Sequence, residues 1–237
     1  MDQPFIREEM LLGADAVRRL HRASVAVFGI GGVGSFCAEG LARAGIGRLT
    51  LVDDDTVGIS NLNRQLVALR STIGQNKADV MAARVLDINP DCQVCSRPLR
   101  YTEQSKGQFF PADYDYIVDA IDLVSCKLSL IAAARECGIP IVSAMGTGNK
   151  LHPEQFQITD IAQSQGCPLA RVMRRELRAR GIAHHMALWS PEPPATPLAL
   201  EDPPPGRRSI PASVSWVPSC AGLMLAGFVV QSLLQAE

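Results

Sequence analysis

The chain has 237 residues, 47% of them hydrophobic and 20% charged, and a formal net charge of −1. That mix excludes a disordered or fibrous chain, and a near-neutral total exerts no general pull on nucleic acid, so such a partner needs a local basic patch. Seven cysteines at irregular spacing, with no charged leader before an apolar segment near Met1, argue for free thiols in a reducing cytoplasm.

Strands and helices alternate along the first two thirds of the chain. Ser24 to Phe28 is expected to be a buried strand that runs into Gly29-Ile30-Gly31-Gly32-Val33-Gly34, and Ser35 to Ala44 a helix. Leu49 to Val52 is a second strand, stopped by Asp53-Asp54-Asp55. Helical spacing covers Asn76 to Asn89 and ends at Pro90; a short strand follows near Cys92 to Ser96. Tyr116 to Asp119 is a strand, Lys127 to Cys137 a helix, and Ile139 to Ser143 a strand. This order predicts an α/β fold, Rossmann-like and doubly wound around a mostly parallel sheet.

After Gly148 the pattern changes. Phe156 to Thr159 alternates as an antiparallel strand would, so antiparallel strands are expected in the C-terminal third, followed by a helix over Leu169 to Arg180. Residues 188–211 are proline-rich and read as a loop or lid. Trp216 to Val230 is the most apolar stretch; Pro218, Gly222 and Gly227 interrupt it, so a buried helix is expected rather than stable membrane insertion. Residues 1–237 read as one domain.

The glycine-rich turn lets backbone approach a phosphate at a helix N-terminus, and Asp53, at the end of the second strand, stands where a carboxylate binds a ribose. Both features suit a nicotinamide oxidoreductase, but such an enzyme has no use for Arg64 and Lys77 beside the nucleotide. Adenylation does: a carboxylate attacks the α-phosphorus, and fixed cations with Mg²⁺ stabilise the charge on the phosphoryl oxygens. Asp122, at the end of the next strand, is placed to hold Mg²⁺ or a nucleotide hydroxyl.

Gly29 to Ser35, Asn61 to Gln65, Gly74 to Lys77 and Asp119 to Asp122 resemble the signature of the ubiquitin-activating, ThiF-type adenylating superfamily. The resemblance implies an ATP site built from Gly29, Gly31, Gly32, Gly34, Asp53, Asp55, Asn61, Arg64, Gln65, Lys77 and Asp122. It assigns the ribose to Asp53, the phosphates to Asn61, Arg64 and Lys77, and Mg²⁺ to Asp122. It further implies a homodimer in which Arg7 reaches the partner's ATP. Ile141 to Gly148, Phe156 to Asp160 with Pro168 to Ala170, and Val217 to Gly222 are similar to the tRNA threonylcarbamoyladenosine dehydratase branch. That branch activates the carboxylate of the threonylcarbamoyl group with ATP and closes a ring with loss of AMP. Cys167 departs from its pattern, where Asp is usual. A monovalent cation and sulfur-relay partner proteins also belong to what the resemblance allows.

Arg171, Arg174, Arg175 and Arg178 follow the spacing of one helix face and are candidates for tRNA phosphates, with Arg207 and Arg208 extending the patch. His184 and His185 are expected to face solvent. Cys92 and Cys95 have the spacing of half a zinc site, but no second Cys-x-x-Cys exists. Cys220 reads as a buried structural thiol. Adenylation of a ubiquitin-like sulfur carrier stays open as an alternative, weakened by the missing zinc pairs.

Overall fold

A computed structural model describes residues 4–198, 200 and 210–235. Helices α1 (Ile6–Leu12) and α2 (Ala14–Leu20) precede the alternating part: β1 (Ser24–Phe28), α3 (Gly34–Arg43), β2 (Arg48–Val52), α4 (Lys77–Ile88), β3 (Gln93–Arg97), β4 (Tyr116–Asp119), α5 (Val124–Glu136) and β5 (Ile141–Ala144). Then come β6 (Gln157–Asp160), α6 (Pro168–Ala179), β7 (Met186–Trp189) and α7 (Trp216–Gln235). The seven strands form one sheet in the order β3-β2-β1-β4-β5-β7-β6. Every pairing is parallel except β6 with β7.

Period-two alternation splits the core into two layers. Val25 and Val27 of β1 face one layer with α3, α4 and α7, through Leu41, Met81 and Leu225. Ala26 and Phe28 face the other with α5 and α6, through Ile131 and Met173. A sheet covered on both sides explains why β1 and β4 read as unbroken apolar runs. Its parallel strands all end on one edge, where the site lies.

Two boundaries differ from expectation. Leu188 and Trp189 belong to β7, because pairing with β6 and β5 overrides the prolines that follow. Of the proline-rich segment, 190–198, 200 and 210–215 are described and carry no helix or strand; Arg207 and Arg208 lie outside the described residues. The last helix is also continuous over 20 residues. Pro218 sits in its first turn, where backbone N–H groups have no intrahelical acceptor, so the ring breaks nothing. By length and composition α7 is apolar enough to cross a membrane, yet Val217, Ala221, Leu225 and Val229 are buried against the sheet and α3. Gly222 permits that approach: a Cβ there would lie 2.3 Å from the Val33 carbonyl oxygen.

Candidate active site

The carboxyl ends of β1, β2, β4 and β5 open into one cavity of about 1000 Å³. Its near end is the turn between β1 and α3. Gly29 has φ 89°, and a Cβ on it would sit 2.6 Å from the Ala120 carbonyl oxygen, so the turn crosses directly over the β4 exit. Gly29, Gly31 and Gly32 line the cavity. Gly34 does not; a Cβ there would lie 1.7 Å from the Gly29 oxygen, which makes it a packing glycine that lets α3 start where it does. The Ser35 hydroxyl donates to Gly31 O at 2.6 Å and accepts from Leu66 N–H at 3.2 Å, fastening the turn to the segment carrying Arg64 and Gln65.

Asp53 braces the turn from β2. One of its oxygens accepts from Ile30 N–H at 2.6 Å and the other from Asp55 N–H at 2.9 Å. Burial pushes its pKa above the usual carboxylate range, against the pull of those N–H groups and of Lys77. Lys77 is itself buried, with Nζ 2.8 Å from Asp55 Oδ2 and its backbone N–H on Asp55 O. Arg64 donates from Nη1 to Ser60 O at 2.8 Å and Asn63 Oδ1 at 2.9 Å, and burial lowers its pKa. Gln65 is buried against the turn, and its Oε1 has no hydrogen-bond partner among the described residues. An orphaned acceptor in a cavity wall is a group that a ligand can satisfy.

Asp122 follows β4 and lines the cavity, exposed. A fully buried ion pair stands behind it. Lys127 Nζ lies 2.9 Å from Asp119 Oδ2 and donates to Ile121 O at 3.0 Å, which holds the turn that carries Asp122. His185 reaches the same interior. It is buried, 2.8 Å from the Ser143 hydroxyl, and burial pushes its pKa down to about 4. The expectation of a solvent-facing His185 is therefore wrong: it stands immediately before β7 and is turned inward, while His184 stays exposed.

Several expected site residues stand elsewhere. Asn61 is not in the cavity wall; its Oδ1 accepts from Gly58 N–H at 3.0 Å and shapes the turn before Arg64. Arg7 is exposed on α1, away from this chain's cavity. On α6, Arg174 is half-buried and donates to the Ser164 carbonyl and hydroxyl, while Arg175 pairs with Glu176 at 2.8 Å. Arg171 and Arg178 are exposed. Cys220 is only half-buried. Cys92 is buried and Cys95 exposed, so that pair does not converge.

The cavity also contains residues that sequence reasoning missed. Arg100 lines its near end and pairs with Asp54 at 2.9 Å. Lys150 and Asn149 line its far end, beside Cys167, which the sequence had already singled out. Asn149, with φ 59°, accepts from Ala195 N–H through its carbonyl and bonds Ala212 through both its N–H and its Oδ1. It thus ties both flanks of the proline-rich segment beside the cavity. The available signal was position: Arg100 follows β3 and Lys150 follows β5, two more carboxyl-end exits.

The sequence model of the ThiF family matches residues 6–237. The tRNA threonylcarbamoyladenosine dehydratase of Bacillus subtilis is 42% identical over 245 residues, covering 98% of this chain and 94% of that protein. The crystal structure of the Escherichia coli tRNA N6-threonylcarbamoyladenosine dehydratase TcdA superposes with a TM-score of 0.89 at 34% identity, over 98% of this chain and 94% of the other. Its complex with ATP matches with a TM-score of 0.88 over the same shares.

Proposed function

Because the chain belongs to the ThiF family, we propose that it is an ATP-dependent tRNA threonylcarbamoyladenosine dehydratase, working in the cytoplasm where its tRNA is found. The observation that carries this reading is likeness to an ATP-binding dehydratase over nearly the whole of both chains. The cavity supports it, since its lining runs from the glycine turn and Asp53 on to Asn149 and Lys150.

In this reading the ribose meets Asp53 and the phosphates lie over Gly29, Gly31 and Gly32, within reach of Arg64 and Lys77. Asp122 is an exposed carboxylate on the cavity wall, a hard oxygen donor of the kind that suits Mg²⁺; Asp122 would hold the ion, and its chemistry there would be neutralisation of phosphate charge. The carboxylate of the threonylcarbamoyl group attacks the α-phosphorus, forming a C–O–P link and expelling pyrophosphate. The ureido nitrogen then attacks the activated carbonyl carbon, loses its proton and expels AMP. Arg64 and Lys77 are fixed before the reaction by Asn63 and Asp55, so their charges reorganise little as the transition state forms. The nucleophiles come from ATP's acceptor itself, so no cysteine is required.

The exposed apolar face of α1 supports a homodimer. That helix has no buried residue, and Met10 and Leu11 are 76% and 85% exposed. Packed against a second copy, α1 would bring Arg7 to the partner's nucleotide. For tRNA, α6 starts at the cavity wall with Cys167, Pro168 and Leu169 and runs away from it for 12 residues, about 18 Å, presenting Arg171 and Arg178.

The test is incubation with ATP, Mg²⁺ and tRNA bearing threonylcarbamoyladenosine, followed by digestion and mass measurement of the nucleosides. Loss of one water from the modified adenosine, matched by AMP, is expected. Retention of the unchanged nucleoside with ATP intact would refute the function.

A further inference from the structure

Among the described residues, Lys150 is a buried cation with no carboxylate hydrogen-bonded to it. It is 3% exposed, in the loop after β5, and lines the far end of the cavity. Among the described residues its one hydrogen-bond partner is the carbonyl oxygen of Glu192. The Glu192 carboxylate is engaged elsewhere, accepting from Leu151 N–H at 2.8 Å and His152 N–H at 3.2 Å. The other ionisable group facing it is the thiol of Cys167. Burial lowers the Lys150 pKa, against the weaker pull of Cys167 and of the Glu192 carboxylate. A buried ammonium without a carboxylate bonded to it is costly to hold, and the cost is recovered when an anion enters the cavity.

Its place in the sheet says which anion. Along the carboxyl edge, Asp53 follows β2, the glycine turn follows β1, Asp122 follows β4 and Lys150 follows β5. A nucleotide with its ribose at Asp53 and its phosphates at the glycine turn runs in the direction of Lys150. It stops short, because β5 lies two strand spacings, about 10 Å, beyond β1. The phosphates already have Arg64 and Lys77. The far end around Gly146, Asn149, Lys150 and Cys167 is left for the acceptor.

We infer that Lys150 is the residue that binds the carboxylate of the threonylcarbamoyl group and delivers it to the α-phosphorus. This rests on the dehydratase function proposed above. Before attack the ammonium pairs with the carboxylate; after pyrophosphate leaves, that oxygen is part of the mixed anhydride and the charge pairing is lost. Lys150 therefore acts on capture and placement of the acceptor and not on capture of ATP.

The test uses the full chain with Lys150→Met, which keeps the stem, and Lys150→Gln, which keeps a donor for the Glu192 carbonyl but no charge. Conversion of modified tRNA is followed over a range of tRNA at saturating ATP, and ATP affinity is measured directly. Both variants should raise the KM for modified tRNA by about ten- to a hundredfold, the loss of one charged hydrogen bond. ATP affinity should stay at the parent's value, which also reports that each variant is folded. Binding of the same tRNA without the threonylcarbamoyl group should not change. A parent-like KM in Lys150→Gln overturns the assignment, since it leaves only a structural hydrogen bond. Weaker ATP binding in both folded variants overturns it too, by moving Lys150 to the phosphates. Failure of the parent protein to convert modified tRNA is a different result: it removes the proposed function and the Lys150 assignment with it.

Discussion

Replacing Lys77 with Met separates folding from chemistry. Lys77 is buried, but its partner Asp55 has a side chain 61% exposed, so Asp55 left alone is rehydrated at little cost. Met fills the space of the lysine stem and has no charge to desolvate. An exposed ion pair is worth about 0–1 kcal/mol; buried Asp53 also loses the pull of Lys77, so unfolding stability should fall by about 1–2 kcal/mol. The transition state has no such substitute. Losing a fixed group aimed at developing charge costs about a hundred- to a thousandfold in rate, or about 3–4 kcal/mol. The assays are urea unfolding, calorimetric ATP binding, and single-turnover conversion of modified tRNA at saturating ATP. The expected pattern is that small loss of stability, ATP affinity reduced only a few-fold, and a rate down by two orders of magnitude or more. A rate within a few-fold of the parent would refute the role of Lys77. A stability loss of several kcal/mol would refute the solvation argument instead.

The two kinds of glycine in the β1–α3 turn should behave oppositely. Gly34→Ala drives a methyl into the Gly29 carbonyl at 1.7 Å and should destabilise the fold by more than about 4 kcal/mol. Gly31→Ala meets nothing closer than Gln65 Nε2 at 3.9 Å, so stability should hold while ATP affinity falls; equal stability in the two variants contradicts this division. His185 sets a pH dependence. Its pKa is near 4 in the folded protein and about 6.5 unfolded, so below pH 6.5 the unfolded chain gains a proton first. Stability should therefore fall from pH 6.5 to 4, by about 3 kcal/mol from this group, and His185→Gln should flatten that fall; parallel urea-unfolding curves for parent and variant would count against it. Changing Arg171 and Arg178 together to Gln should weaken tRNA binding and reduce the log–log salt slope by about 1.4–1.8. An unchanged slope means that this face of α6 is only solvated.

How much of this was legible in the sequence depends on the range of the interactions that decide each feature. The doubly wound sheet was legible because a buried parallel strand needs a continuous apolar run and the helices between show their own period. Gly29 to Asp122 could be read as a nucleotide site because its parts sit at strand ends, and parallel strands must all end on one edge. Sequence alone could not tell that Gly34 packs while Gly31 faces the cavity, or that Asn61 shapes a turn, since each depends on what lies across the fold. Helical spacing put four arginines on one face of α6; the structure sent Arg174 to Ser164, a partner ten residues back in the chain. His185 and Lys150 were illegible for the same reason. Nothing local marks a histidine as buried beside Ser143, 42 residues away, or a lysine as bonded to the carbonyl of Glu192. Composition and periodicity determine which elements form and which edge they share. Which charges end up buried, and facing what, is decided only when distant segments close over them and remove the water that would have paired with them.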